Sequence, residues 1–353
     1  MADFYRIFDT TLSCDFLLPE LPLVNIEDGF RVKPGMTSPV APGLTRGPVL
    51  EAQTLSVKLG EGDPDQFDSL GFKKVFEWCD YDGRVVCWCE RQKDENGGDE
   101  YLYIFARSAT FHISSEGLIS CFLREGSTMQ MLRHLLLNQI IPRYLATIGR
   151  LILHASAVTL ESGKSVAFLG NSGFGKSTLV SSFHRHGAQL INDDCILLSC
   201  SEEGVTVIGG LVGIRLFPDS VNAVFNEAAG FTNYTPYTDK QQLFLKEEAG
   251  SAQPEPCVLD ALFLLNDPKA EPEGKEAVDE VCIEPVSGSE AMMAMIYSAF
   301  SLDPSDKKMI AGNFRNVGQA LGEQLGLYSL KYPRVHERLP EVRAAVIERV
   351  ESV

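Results

Sequence analysis

The sequence predicts a mixed chain of the α+β/α/β class, with a β-rich N-terminal part followed by an α/β part built around a glycine loop. Three observations predict it. Short alternating runs fill residues 1–126, a glycine-rich stretch from Gly170 to Ser177 joins an apolar run to a helical one, and helical spacing dominates the end of the chain. The 353 residues suffice for two domains that each bury a core, and 44% hydrophobic with 22% charged residues is a globular composition.

The N-terminal part takes its strands from YRIF, KKVFEW, RVVCWC, YLYIFA and ATFHIS, broken by turn residues, and these predict an antiparallel β domain. Residues 27–64, rich in Gly and Pro, carry little periodicity and predict a long irregular loop. Cys87 and Cys89 fall on one face of a strand near Cys79, without the CxxC spacing of a zinc knuckle, so they are expected to be core thiols. From Ser127, expected to cap it, a helix carries Met131, Leu135, Leu136 and Ile140 on one face, and Pro142 predicts a kink or a split. The expected division is a domain over 1–126, a connecting helix over 127–149 and a second domain over 150–353.

In that second part the texture becomes strand, loop, helix, strand: LILHASAVTL, SVAFLG, the glycine loop with its helix, then AQLINDDCILLS. Apolar runs follow at VTVIGGLVGIRLF and VLDALFLLND. The acidic tract DPKAEPEGKEAVDE predicts a surface loop, and SEAMMAMIYSAF, KKMIAGNFRNVGQALGEQL and LPEVRAAVIERV predict helices.

A formal net charge of -17 offers no general attraction for nucleic acid or an anionic membrane. Nine cysteines without a disulfide framework fit a reducing compartment. MADFYRIFDT is not a signal sequence, and no apolar run spans a bilayer, so a cytoplasmic protein is expected.

Gly170, Asn171, Ser172, Gly173, Phe174, Gly175, Lys176 and Ser177 satisfy the P-loop (Walker A) pattern G-x-x-x-x-G-K-[ST] in full. Glycines let backbone N–H groups turn inward, and the following helix presents its positive end to phosphates. Lys176 is placed to reach β- and γ-phosphates, and the Ser177 hydroxyl to ligate Mg²⁺. ATP with Mg²⁺ is the expected ligand pair, against the plainer alternative of a glycine turn before an ordinary helix.

Asp193 and Asp194 follow an apolar run within 18 residues of Lys176, room for one helix and a return strand beside the P-loop strand. Adjacent carboxylates between apolar runs need a cation, which a metal supplies, and phosphoryl transfer also needs a proton acceptor. The alternative is a solvated turn. His154 lies in an apolar strand and, taken alone, reads as a core histidine. His184 and His186 suit a helix C-terminus. Arg215, in GIRLFPDS, is placed either to pair Asp219 or to approach a phosphate.

Together LHASAV, GNSGFGKST and INDD resemble the catalytic domain of HPr kinase/phosphorylase, a bacterial serine kinase related in fold to phosphoenolpyruvate carboxykinase. In that family a histidine about 22 residues before the P-loop lysine and two aspartates after the first return strand form the active site, and His154, Asp193 and Asp194 stand in those places. The resemblance implies Asp194 as proton acceptor, His154 and Asp193 in support, a metal on Ser177 and Asp193, and Thr178 and Arg215 beside the nucleotide. It implies a protein or peptide acceptor bearing Ser or Thr, and a homo-oligomer, since HPr kinases assemble as hexamers. The stretches FYRIFDTTLSCDFLLPELP, GIRLFPDSVNAVF, TDKQQLFL and YSLKYPRVHERLPEV look more like divergent HPr-kinase-like proteins, some of which phosphorylate a peptide.

Two positions depart from the family pattern. Gly213 stands where HPr kinases carry a metal-binding glutamate, so a second magnesium contact either comes from elsewhere, with Asp219 as the candidate, or is missing. Thr178 stands where they carry Glu after the P-loop serine, and phosphorylase activity and HPr as substrate are left open by the resemblance. A small-molecule hydroxyl as acceptor, and a regulator that binds nucleotide without transferring phosphate, are the competing functions.

Overall fold

The computed structural model describes residues 2–24, 54–67, 70–79, 82–201, 204–211, 213–225, 230–233, 239–244, 255–267, 280–322 and 325–352. The first part is one eight-stranded sheet. Its strands are β1 (Asp3–Ile7), β2 (Thr10–Cys14), β3 (Thr54–Leu59), β4 (Lys73–Cys79), β5 (Val85–Lys93), β6 (Asp99–Phe105), β7 (Ala109–Ile113) and β8 (Ile119–Leu123), in the order β1-β2-β3-β8-β7-β6-β5-β4. The sheet is mixed rather than antiparallel, because β3 runs parallel to both β2 and β8. Thr54–Leu59 thus turns the end of the expected irregular loop into a strand, burying Leu55 and Val57 on one face at the two-residue period of a strand. Residues 27–53 of that loop lie outside the described residues. Cys87 and Cys89 are buried on one face of β5, and all nine cysteines are free thiols.

The predicted helix splits in two. α1 (Met129–Leu135) is capped by Thr128, not Ser127: the Thr128 hydroxyl accepts from Met131 N. A π turn at Leu136–Ile140 follows, and α2 (Ile141–Thr147) restarts with Pro142 in its first turn, where the missing N–H costs nothing. The hydrophobic core under the sheet includes these helices and runs on into Ile152, Cys195, Leu197, Ile208 and Leu302.

LILHASAVTL is two strands, not one: β9 (Leu151–Leu153) and β10 (Ala155–Thr159) belong to different sheets, and the chain breaks between them at His154. After β10 come β11 (Ser165–Leu169), α3 (Lys176–Arg185), β12 (Gln189–Asn192), β13 (Ile196–Ser201), β14 (Gly204–Gly209), β15 (Gly213–Leu216), α4 (Pro218–Phe225), β16 (Thr232–Asn233), β17 (Gln241–Phe244) and β18 (Cys257–Val258). The chain finishes with β19 (Ala261–Leu265), β20 (Cys282–Pro285), α5 (Gly288–Ser298), α6 (Lys307–Leu321), β21 (Gly326–Lys331) and α7 (Leu339–Glu351). The acidic tract falls almost wholly outside the described residues. Among those described, no helix is long and apolar enough to cross a membrane.

The sheet that matters for the site has the order β12-β10-β11-β19-β21-β20. β12 pairs with β10, which separates it from the P-loop strand β11, so the acidic pair reaches the loop from one strand further away than the sequence suggests. β11, β19 and β21 are parallel neighbours, so the P-loop, Asn266 and Tyr332 all emerge at one edge, the carboxyl ends where α/β sheets bind ligands. Phe168 of β11 stacks on Phe183 of α3 at 5.8 Å and on Phe263 of β19 at 5.7 Å. All three rings are buried, and burying each contributes roughly 2–3 kcal/mol toward fixing α3 behind the loop.

Candidate active site

The loop from Gly170 to Ser177 turns on glycines in the left-handed region, Gly173 at φ +86° and Gly175 at φ +87°, where a side chain is strained. Gly175 is the N-cap of α3, and Lys176 opens the helix. The buried Lys176 ammonium bends back on its own loop, donating to Gly170 O at 2.6 Å and Asn171 O at 3.2 Å. Burial lowers its pKa to about 8, against the opposing pull of Asp194 and Asp193.

Beyond Asn192 the chain leaves β12 through the two carboxylates, and Asp194 takes φ +79°, a conformation that Asp tolerates better than most side chains. The two carboxylates have different environments. Asp193 Oδ1 accepts from the Ser156 hydroxyl at 2.6 Å and from Asp194 N at 3.1 Å, and Oδ2 accepts from Arg215 N at 3.2 Å. Asp193 is thus fully engaged by protein, and burial together with its charged neighbour Asp194 raises its pKa. Asp194 instead lines the cleft, with Oδ2 accepting from Arg215 Nη1 at 3.0 Å. Burial pushes its carboxyl up, but Arg215, Lys240, His154 and Lys176 together outweigh burial and hold it well below the ordinary carboxylate range.

The break at His154 places its ring in the cleft. Nδ1 lies 2.8 Å from Asp194 O, and a carbonyl only accepts, so Nδ1 carries the proton and Nε2 is left as an acceptor. Burial, with Lys176 next, lowers the imidazole to about 4, so the ring is neutral at pH 7.

The structure therefore brings together Lys176, Ser177, Thr178, Asp194, His154 and Arg215 around one cleft, with Asp193 behind them. Arg215 pairs Asp194, not Asp219. His184 and His186 bond Ala188 O and Ser182 O and are structural, as their place at the end of α3 suggested. At Gly213 a Cβ would meet Leu243 O and Gln242 Nε2, both at 3.2 Å, so β17 crowds any side chain placed there.

Several cleft residues had no motif to announce them. Lys240 precedes β17, is one of the cations acting on Asp194, and lies over the Phe217 ring at 5.5 Å. Asp219 of α4, which the sequence offers as a partner for Arg215, lines the same cleft without pairing it. Thr178 Oγ1 reaches Ser220 Oγ at 3.3 Å, which in turn meets His336 Nε2 at 3.3 Å. Tyr332 and Arg334 cover the loop from above Gly175. They come from stretches far apart in the chain, so no local spacing in the sequence could join them.

No protein-family model matches the sequence, and no curated protein matches it. Among solved structures, that of the Hpr(Ser) kinase/phosphatase from Coxiella burnetii is similar at a TM-score of 0.27 and 12% identity, covering 57% of this chain and 97% of that chain.

Proposed function

We propose that this chain is an ATP- and Mg²⁺-dependent kinase that phosphorylates a Ser or Thr hydroxyl of a protein or peptide. One observation carries it: a P-loop lysine and serine share a cleft with an ionised aspartate, a neutral histidine and three further cations, Arg215, Lys240 and Arg334. A nucleotide sensor needs no proton acceptor beside the phosphates.

Among the described residues no cluster of three or more His, Cys, Asp or Glu forms a metal cage. Mg²⁺ does not need one, since it binds through one or two carboxylates, substrate phosphates and water. Ser177 and Asp219, both on the cleft, fit that habit better than Asp193, whose oxygens are already used. When bound, the metal neutralises phosphate charge.

The chain's own residues do the rest. Loop amides and Lys176 hold the phosphates in line with the acceptor. The acceptor oxygen forms its bond to the γ-phosphorus as the bond to the β–γ bridging oxygen breaks, and the hydroxyl proton passes to Asp194. Arg215 must loosen its hold for Asp194 to accept that proton, and the incoming phosphates offer the guanidinium an alternative partner. Asp193 positions Asp194 and Arg215 through their backbone N–H groups. Phe217 and Val335, both exposed on the cleft wall, leave a mouth suited to a polypeptide.

The test is transfer of labelled γ-phosphate from MgATP to Ser/Thr peptides. Wild type should transfer, and Lys176→Met and Asp194→Asn should each fall by at least ~100-fold. Transfer by Asp194→Asn at the wild-type rate would overturn the assignment of the base.

A further inference from the structure

One segment that takes no part in the transfer chemistry closes over the same loop. β21 ends at Lys331, and the chain then crosses the phosphate loop: a Cβ placed on Gly175 would lie 3.1 Å from Tyr332 Oη and 3.4 Å from Arg334 Nη1. The close approach is available because position 175 is glycine.

The Arg334 guanidinium is fixed with some care. Nη2 donates to both the carbonyl and the side-chain oxygen of Asn266, at 2.8 Å and 2.9 Å, and Asn266 stands just past the end of β19. The guanidinium carbon lies 3.8 Å from the centre of the Tyr332 ring. Arg334 lines the cleft, yet Nε and Nη1 are screened from solvent and have no hydrogen-bond partner. A buried donor left unmade is costly, more so on a charged group, and an arginine used only for packing would be expected to find acceptors for both. Here the two idle N–H groups belong to a planar fork shaped for phosphate, held against a loop shaped for phosphate.

The position also says which phosphates. The cations that act most strongly on Asp194 are Arg215, Lys240 and Lys176, and they mark the end of the cleft where the phosphoryl group moves. Arg334 is not among them: it stands over Gly175, the N-cap of α3, tied to Asn266.

We propose that Arg334, steered by Asn266 and Tyr332, is a clamp on the phosphates that remain with the nucleoside, so that its ligand is the diphosphate part common to nucleoside di- and triphosphates. The inference rests on the phosphate-loop function proposed above. Arg334 is a binding residue for both substrate and product, and the interaction is made equally before and during transfer, so its loss appears in KM and leaves kcat almost unchanged.

The experiment is calorimetric titration of the full chain with MgADP and MgATP, for wild type, Arg334→Gln, Arg334→Lys and Asn266→Ser, with the unfolding midpoint without nucleotide as the folding control. Arg334→Gln should weaken ADP and ATP by the same factor, ~10-fold or more. Arg334→Lys should recover part of the loss, because the charge returns without the fork. Asn266→Ser, which keeps the guanidinium but frees it, should fall between. KM for ATP should rise with kcat within about threefold of wild type. Unchanged affinity for both nucleotides in a folded Arg334→Gln overturns the clamp alone. Weakening of ATP but not ADP overturns the assignment to the retained phosphates. A wild type that binds neither nucleotide overturns the clamp and the phosphate-loop function together.

Discussion

Arg215 holds the acidic pair twice, its Nη1 3.0 Å from Asp194 Oδ2 and its backbone N–H donating to Asp193 Oδ2 at 3.2 Å. The side-chain half of this link is a buried ion pair, with only 12% and 15% of the two side chains exposed. Removing one partner of such a pair leaves an uncompensated charge, at a typical cost of 3–5 kcal/mol.

Arg215→Gln should therefore lower unfolding free energy at pH 7 by roughly 3 kcal/mol. The sign with pH follows from Asp194. Its folded pKa is depressed, so its contribution is complete above the unfolded carboxylate value of about 4 and is lost as pH falls toward the folded one. The deficit of the variant should shrink on acidification below about pH 4, as read by urea titrations across pH. A deficit that stays constant with pH would show that Arg215 stabilises by packing alone.

The two aspartates should differ in what their loss removes. Asp193→Ala strands the Ser156 hydroxyl and the N–H groups of Asp194 and Arg215, an expected loss of roughly 2–4 kcal/mol. Asp194→Asn keeps a side chain that tolerates φ +79° and an oxygen for Arg215, but it leaves that guanidinium without its counter-charge, an expected loss of roughly 3 kcal/mol as for Arg215→Gln, and transfer fails. An Asp194→Asn variant that unfolds as wild type would contradict the ion pair, and transfer that survives in it would contradict the base.

Legibility in the sequence followed locality. The P-loop, its strand and its helix are contiguous, and their backbone chemistry is written in eight residues. The Asp pair could be placed at a strand end because an apolar run stops there. His154 was harder: an apolar stretch of ten residues reads as one strand, and only pairing with partners from two sheets reveals the break that turns the ring into the cleft. β3 was missed for a related reason, since its partners are strands far away in sequence and its own polar residues resemble a loop. Lys240, Asn266 and Arg334 are lone residues at strand ends, brought to the site only by the order of β11, β19 and β21 and by the hairpin of β16 and β17.

Two buried histidines should make the ligand-free protein acid-sensitive in a defined window. Burial lowers His154 to about 4 and His134 to about 3, so both stay neutral in the folded state while the unfolded chain protonates near 6.5. The unfolded state binds more protons between those values, so stability must fall as pH drops from about 6.5 to 4, by up to ~1.4 kcal/mol per pH unit for each histidine. His154→Gln should remove about half of that slope in urea titrations, and the ring of His154 in wild type should show an Nδ1–H tautomer by nitrogen NMR at pH 7. An Nε2–H tautomer would overturn the donor assignment to Asp194 O.

Lys176 supplies the last test, because its resting state differs from the one that holds phosphate. In the ligand-free chain the buried ammonium has two carbonyl acceptors and a pKa lowered to about 8, so near that pH about half of the molecules have lost the proton. A triphosphate beside it restores the charged form, since opposite charge at close range favours ionisation. Binding MgATP near pH 8 should then take up roughly half a proton per molecule, falling toward zero by pH 6.5, where Lys176 is already charged. Calorimetric binding enthalpies in buffers of different ionisation enthalpy measure that number directly. Lys176→Met should abolish the uptake along with most of the affinity, whereas proton release at pH 8, or uptake that persists in Lys176→Met, would place the titrating group elsewhere in the cleft.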